Sequence, residues 1–180
     1  MARKLVVFIA ISLDGYLATR NESLDWLTGT KGEGDNGYGD FIATMDTILM
    51  GRRTYDWLLR NVGAEQFPYR EQRCYVVTST PLEPPVERVL TVSGDPVEFA
   101  RYLKAEAGKS IWVVGGGKLI QALQEQRLID EWVVTVAPIL LGDGIPLFGK
   151  QDASTELTLD SVRRYNQFVQ MHYRTNEPSV

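Results

Sequence analysis

Residues 111–120 read Ile-Trp-Val-Val-Gly-Gly-Gly-Lys-Leu-Ile: a short apolar run that stops in three glycines and passes at once into a helix-like pattern. That is the layout of a strand feeding a turn that feeds a helix N-terminus. Residues without Cβ let a backbone approach a ligand closely, and the free N–H groups of a new helix favour an anion. Two familiar phosphate motifs are excluded. A G-x-G-x-x-G fingerprint would need glycine or alanine where Ile120 stands. A P-loop would need glycine at Trp112 and Ser or Thr at Leu119. A tight turn that binds nothing has the same layout, so the motif alone leaves both readings open.

Strands and helices alternate along much of the chain. Leu5 to Ile11 is a continuous Val/Ile-rich run, as expected of a central strand covered on both faces, and Ser12-Leu13-Asp14-Gly15 ends it in a turn. Asn21 to Tyr38 is polar and glycine-punctuated, and predicts a mobile surface loop with one helical turn at Ser23 to Leu27. A short helix is predicted over Asp40 to Met45, a strand over Thr47 to Met50 and a helix over Tyr55 to Arg60. Strands follow at Arg73 to Thr78 and Val89 to Val92, with Pro81, Pro84 and Pro85 fixing the loop between them. Pro96 opens a helix through Ala107, and a further helix covers Leu119 to Gln126. Glu131 to Ala137 is an apolar strand, and Leu157 to Tyr165 with Phe168 to Arg174 form a hairpin through Asn166-Gln167. The order implies a single three-layer α/β/α domain over residues 1–180, with a mostly parallel central sheet and antiparallel C-terminal strands.

Composition narrows the function classes. Lys and Arg number 19 against 23 for Asp and Glu, and no basic stripe appears, which argues against a nucleic-acid partner. One cysteine, Cys74, excludes an intrachain disulfide and fits a reducing, cytoplasmic setting. The N-terminal apolar run is too short for a membrane span and is broken by Ser12, Asp14 and Gly15. His172 is the sole histidine, so neither a metal cluster nor a Cys-His or Ser-His catalytic pair can be argued.

Two more signals lie at predicted strand ends. Gly51-Arg52-Arg53-Thr54 repeats the plan of strand, glycine and helix start, with two guanidiniums suited to phosphate. Thr78-Ser79 places hydroxyls immediately after another strand. In an open α/β sheet, ligands collect outside the carboxyl ends of the strands. One groove would then hold a dinucleotide, with Gly115, Gly116 and Gly117 against the pyrophosphate and Lys118 and Leu119 also expected to bind the cofactor. Arginine at position 52 or 53 suits a ribose 2′-phosphate, which favours NADPH over NADH.

Read in order, the segments 12–16, 51–55, 113–117, 128–131 and 138–148 resemble the dihydrofolate-reductase-like fold. Within it they are most similar to the C-terminal reductase domain of the bifunctional riboflavin-biosynthesis protein, here without the deaminase half. The resemblance implies an NADPH-dependent reductase of the 5-amino-6-(5-phosphoribosylamino)uracil reductase type, acting on a small heterocyclic or sugar-phosphate molecule. It implies Arg52 at the 2′-phosphate, with Arg53 and Thr54 continuing the helix start. Ser79 would lie beside the adenosine ribose, and Gly115-Gly116 at the pyrophosphate. Asp14 is then expected nearest the reaction, with Ser12, Gly15 and Asp40 on the substrate side. Arg20 and Lys31 would be available to a substrate phosphate. The apolar stretch Val133 to Leu141 points to a sheet-edge homodimer. Dihydrofolate reductase is an alternative, although counting back from Phe41 puts Gly37 where those enzymes carry a carboxylate, with Asp35 and Asp40 close by. A non-catalytic NADP-binding module is another.

Overall fold

The structure is a computed structural model and describes residues 3–83, 85–150 and 154–176; Pro84 lies outside them. The strands are β1 (Leu5–Ser12), β2 (Tyr16–Ala18), β3 (Met45–Gly51), β4 (Arg73–Val77), β5 (Val89–Val92), β6 (Ser110–Gly115), β7 (Glu131–Ala137), β8 (Ile145–Pro146), β9 (Leu157–Tyr165) and β10 (Phe168–Thr175). The helices are α1 (Asp25–Thr28), α2 (Tyr38–Ile42), α3 (Arg52–Asn61), α4 (Pro96–Ala105) and α5 (Gly117–Glu125).

Eight strands form one sheet in the order β5-β4-β3-β6-β1-β7-β10-β9. The first six are parallel and the last two antiparallel. Side chains alternate across a strand, so covering both faces needs apolar residues at successive positions. In β1, Leu5 and Val7 join a core with Leu103 of α4 and Ile120 and Leu123 of α5. Val6 joins the opposite core, with Tyr55 and Leu58 of α3, Phe67 and Tyr69. These two cores give the α/β/α layering. The carboxylate of Asp95 caps α4 by accepting the Val97 N–H at 2.8 Å, and Pro96 fills the first turn.

The short strands β2 and β8 pair outside the main sheet. At two and three residues they carry no alternation for a sequence to reveal. The segment 21–38, expected to be a mobile surface loop, makes side-chain contacts with the rest of the fold. Trp26 is buried with Phe168 and Ala137, the Trp57 indole N–H donates to the Glu22 carbonyl at 3.0 Å, and Arg60 pairs with the Glu22 carboxylate.

The amino edge of the sheet is tied by polar side chains. Arg3 is buried, and its guanidinium donates to Asp46, to Thr47 Oγ1 at 2.6 Å and to the Lys109 carbonyl at 2.6 Å. Asp130 joins both ends of the described chain: its carboxylate accepts the Leu5 N–H at 2.7 Å, and its carbonyl accepts the Thr175 N–H at 2.9 Å.

Candidate functional site

The carboxyl ends of β4, β3, β6 and β1 lie side by side. Gly51 pairs with Val77, and Met50 with Gly115, so Thr78, Gly51 and Gly115 reach the same edge. Two helices start there, α3 at Arg52 and α5 at Gly117, and neither has a side-chain cap. Their uncapped N–H groups and helix dipoles are therefore available to an anion.

Glycines bring the two starts together. A Cβ on Gly116 would stand 3.5 Å from Gly51 Cα and N, and a Cβ on Gly115 would meet Thr54 Oγ1 at 3.4 Å. Gly116 also takes φ +95° and ψ 98°, which L side chains rarely adopt. Backbone sign thus calls for glycine at Gly116, whereas a Cβ on Gly115 would make only ordinary contact with Thr54. Leu119 is buried in the core, so it can offer only its backbone to a ligand; Lys118 is exposed beside it.

Arg52 is already partly engaged. Its Nε donates to Asp56 at 2.8 Å, and its Nη1 to Thr80 Oγ1 at 2.7 Å and the Pro81 carbonyl at 3.0 Å. It thereby staples the start of α3 to the loop after β4, leaving Nη2 unbonded among the described residues. Arg53 is exposed. Thr78 Oγ1 accepts the Thr80 N–H at 3.2 Å, forming a hydroxyl turn with Ser79 exposed at its tip.

On the substrate side, Ser12, Asp14 and Gly15 are engaged by internal partners. Ser12 is fully buried, its hydroxyl donating to Asp14 Oδ1 at 2.6 Å and accepting the Tyr16 N–H at 2.9 Å, so it presents nothing to a ligand. Asp14 is a clip: it also accepts the Leu141 N–H at 3.1 Å and the Gly142 N–H at 2.7 Å. The Ser12 hydroxyl first, then these N–H groups, hold its carboxyl below the usual range against the pull of desolvation. Gly15 has φ +90°, and its carbonyl accepts the Leu147 N–H, anchoring the turn to the same loop.

Asp40 is exposed on α2, away from the cleft that the structure forms; Asp35 is the carboxylate that lines it. The reason is local. Gly37 takes φ +79°, and α2 begins only at Tyr38. Asp35 then accepts the Gly37 N–H at 2.9 Å and the Gly39 N–H at 2.7 Å. This cleft, about 340 Å³, lies between β1, the segment 27–36 and β10, with Phe8, Ala10, Leu27, Thr135 and Phe168 in its walls. A second cavity of about 520 Å³ lies across α1, between residues 21–25 and α3, and Thr28 borders both. Neither cavity was legible in the sequence, because their walls come from strands and loops far apart in the chain. Arg20, expected at a substrate phosphate, is paired with Asp143. His172 Nε2 lies 3.1 Å from Glu131 Oε2 on the far strands. No group of metal-ligating side chains occurs among the described residues, and no helix there is long and apolar enough to cross a membrane.

Comparisons with known proteins agree with this architecture. The uncharacterized protein YwjB of Bacillus subtilis (strain 168) is 42% identical over 173 residues, spanning 96% of this chain and 98% of its own. A Shewanella sp. PV-4 protein named for riboflavin biosynthesis has a crystal structure that matches with a TM-score of 0.85 at 33% identity, covering 98% of this chain and 100% of that one. The diaminohydroxyphosphoribosylaminopyrimidine deaminase/5-amino-6-(5-phosphoribosylamino)uracil reductase of Thermotoga maritima matches in fold. Its TM-score is 0.71 at 14% identity, over 97% of this chain and 57% of its own length. A family model described as the RibD C-terminal domain matches residues 3–171, and the chain belongs to that family.

Proposed function

We propose that residues 1–180 act as one NADPH-dependent reductase domain of the riboflavin-biosynthesis type, delivering hydride to a small heterocyclic or sugar-phosphate molecule. The observation that carries this is the pair of uncapped helix starts pressed together through Gly51 and Gly116. A Cβ at either residue would intrude where a pyrophosphate must approach the backbone. The first-turn N–H groups of α5, from Gly117 to Leu119, would bind pyrophosphate oxygens, with Lys118 adding charge at the rim. Arg52 Nη2, Arg53 and the Ser79 hydroxyl would hold the 2′-phosphate; Thr54 and Thr78 would shape the floor between them. Bound NADPH supplies the hydride.

In this reading Asp14 is a positioning residue. Its carboxyl is held ionised and its oxygens accept three hydrogen bonds, so it keeps the turn 12–15 against the loop 141–147 and is poorly suited to release a proton. The proton that accompanies hydride transfer then comes from water or from a group on the substrate. A homodimer, the oligomeric state proposed here, is supported by exposed Leu157, Leu159 and Val162 on the edge strand β9, rather than by Val133 to Leu141, whose strand β7 lies between β1 and β10; light scattering of the purified protein tests it.

Calorimetric titration with NADPH and NADH tests the cofactor assignment. Arg53→Ala removes a charged donor worth about 1.5–3 kcal/mol, so NADPH affinity should fall about 10- to 100-fold while NADH affinity barely changes. Equal weakening of both cofactors would show that the 2′-phosphate lies elsewhere. Tight NADPH binding without oxidation across a panel of pyrimidines, pterins and sugar phosphates would favour a binding module.

A further inference from the structure

We propose that the cavity between α1 and α3 is a binding site for a small organic ammonium ion, separate from the glycine edge and from the cleft beside β1 and β10. Its volume of about 520 Å³ falls within the roughly 300–1,000 Å³ of sites that enclose small molecules. None of the glycines 51 and 115–117 lines it, and among the described residues Thr28 is the one it shares with the cleft.

The wall on the α3 side is aromatic and fixed. Trp57 and Arg60 stand three residues apart on that helix, so they project from one face. The Trp57 indole N–H donates to the Glu22 carbonyl at 3.0 Å, and Arg60 Nη2 donates to the Glu22 carboxylate at 2.9 Å. Glu22 thus ties both side chains to the segment that faces them. The one polar atom of the indole is already used, and what remains of Trp57 for a ligand is its ring. Leu24 of the facing segment packs against the cluster around buried Trp26, so that wall is held as well.

Charge selects the ligand. The ionisable groups in the lining are Glu22, Asp25 and Arg60. Arg60 and Glu22 offset each other as an ion pair, which leaves Asp25. Its carboxylate is exposed, forms no cap on α1, and has no hydrogen bond or ion pair among the described residues. The lining therefore offers one uncompensated negative charge beside an indole. An anion would meet an excess of carboxylate, and a neutral molecule would gain nothing from Asp25. An alkylammonium ion gains from both, because the ring quadrupole attracts it and the carboxylate pairs with it. Asp25 and Arg60 are exposed, so the pairing is screened and the affinity is expected to be on the order of 1–10 mM.

The test is an NMR titration of the intact chain, following the indole N–H resonances of its four tryptophans. The probes are choline and its uncharged carbon analogue, dimethylbutanol. Choline should shift the Trp57 resonance saturably, that resonance being the one lost in Trp57→Phe. Dimethylbutanol should bind at least about fivefold more weakly. Asp25→Asn should weaken choline about three- to tenfold and leave dimethylbutanol unchanged. The other three indole resonances of that variant, unmoved, show that it is folded. Inorganic phosphate should leave the Trp57 resonance in place, and saturating NADPH should not displace choline. Equal binding of choline and dimethylbutanol, full affinity in a folded Asp25→Asn, or phosphate binding tighter than choline overturns the inference. So does displacement by NADPH, or no saturation by about 50 mM choline. A chain that binds choline at Trp57 and fails to bind NADPH sinks the reductase reading and leaves this site standing.

Discussion

Gly116 and Gly117 are neighbours of the same residue type, yet the structure assigns opposite signs to replacing them with alanine. Gly116 sits at φ +95° and ψ 98°. Its new Cβ would meet Gly51 at 3.5 Å and Leu119 at 3.7 Å, which is ordinary contact, so the cost is in the torsion. Holding an L residue in such a sparsely populated region costs about 1–3 kcal/mol. Gly117 is the first residue of α5, its φ is not positive, and its Cβ would meet only the Pro146 carbonyl at 3.4 Å. There, alanine restricts the unfolded chain and suits a helix, so the change should be neutral or stabilising by up to about 1 kcal/mol. For a chain of this size, Gly116→Ala should lower Tm by about 2–12 °C. Urea unfolding followed by tryptophan fluorescence measures both variants, with the transition slope unchanged if only native stability has moved. A neutral Gly116→Ala, or equal losses for the two variants, would refute the argument from backbone sign.

Other outcomes follow from the same structure. Asp14 is held below its ordinary range, so its contribution to stability is full above the usual carboxyl pKa and fades as pH falls through the lower folded value. The difference in urea midpoint between wild type and Asp14→Asn should accordingly be largest near neutrality and shrink in acid; a constant difference to the acid limit contradicts the clip. Burial pushes the Cys74 thiol up to about 12, so thiol reagents should label it only on unfolding, and rapid native labelling would contradict its place in the core. Gly144→Ala would drive a Cβ into the Ala18 carbonyl oxygen. Denaturant titration should show a loss of about 1–3 kcal/mol as the β2–β8 pair is displaced.

Much of the sheet is legible because its residues report their own environment. Val89–Val92, Glu131–Ala137 and Leu157–Tyr165 form strands over the expected bounds. Unbroken apolar runs such as β1 signal cover on both faces. The glycine edge is legible too, because positive φ and close approach leave few residue choices. The cleft is not. Asp35 rather than Asp40 lines it because Gly37 turns the chain before α2 begins, a detail that depends on one backbone sign. Ser12 looks accessible in a turn sequence, yet Asp14 and Tyr16 enclose its hydroxyl. The loop 21–38 reads as mobile from its polarity, whereas two tryptophans anchor it, one by burial and one by a single hydrogen bond.

Asp130 receives both ends of the described chain on the edge of the sheet opposite the glycine turns, with Leu5 on its carboxylate and Thr175 on its carbonyl. Leu5 and Thr175 therefore meet on one small area of the surface, on the edge away from the helix starts. Residues 5 and 175 are close enough to be linked to each other by a short peptide, with new ends opened elsewhere on the surface. The fold is in this sense open to circular permutation between β1 and β10 without rebuilding the edge that carries the glycine turns.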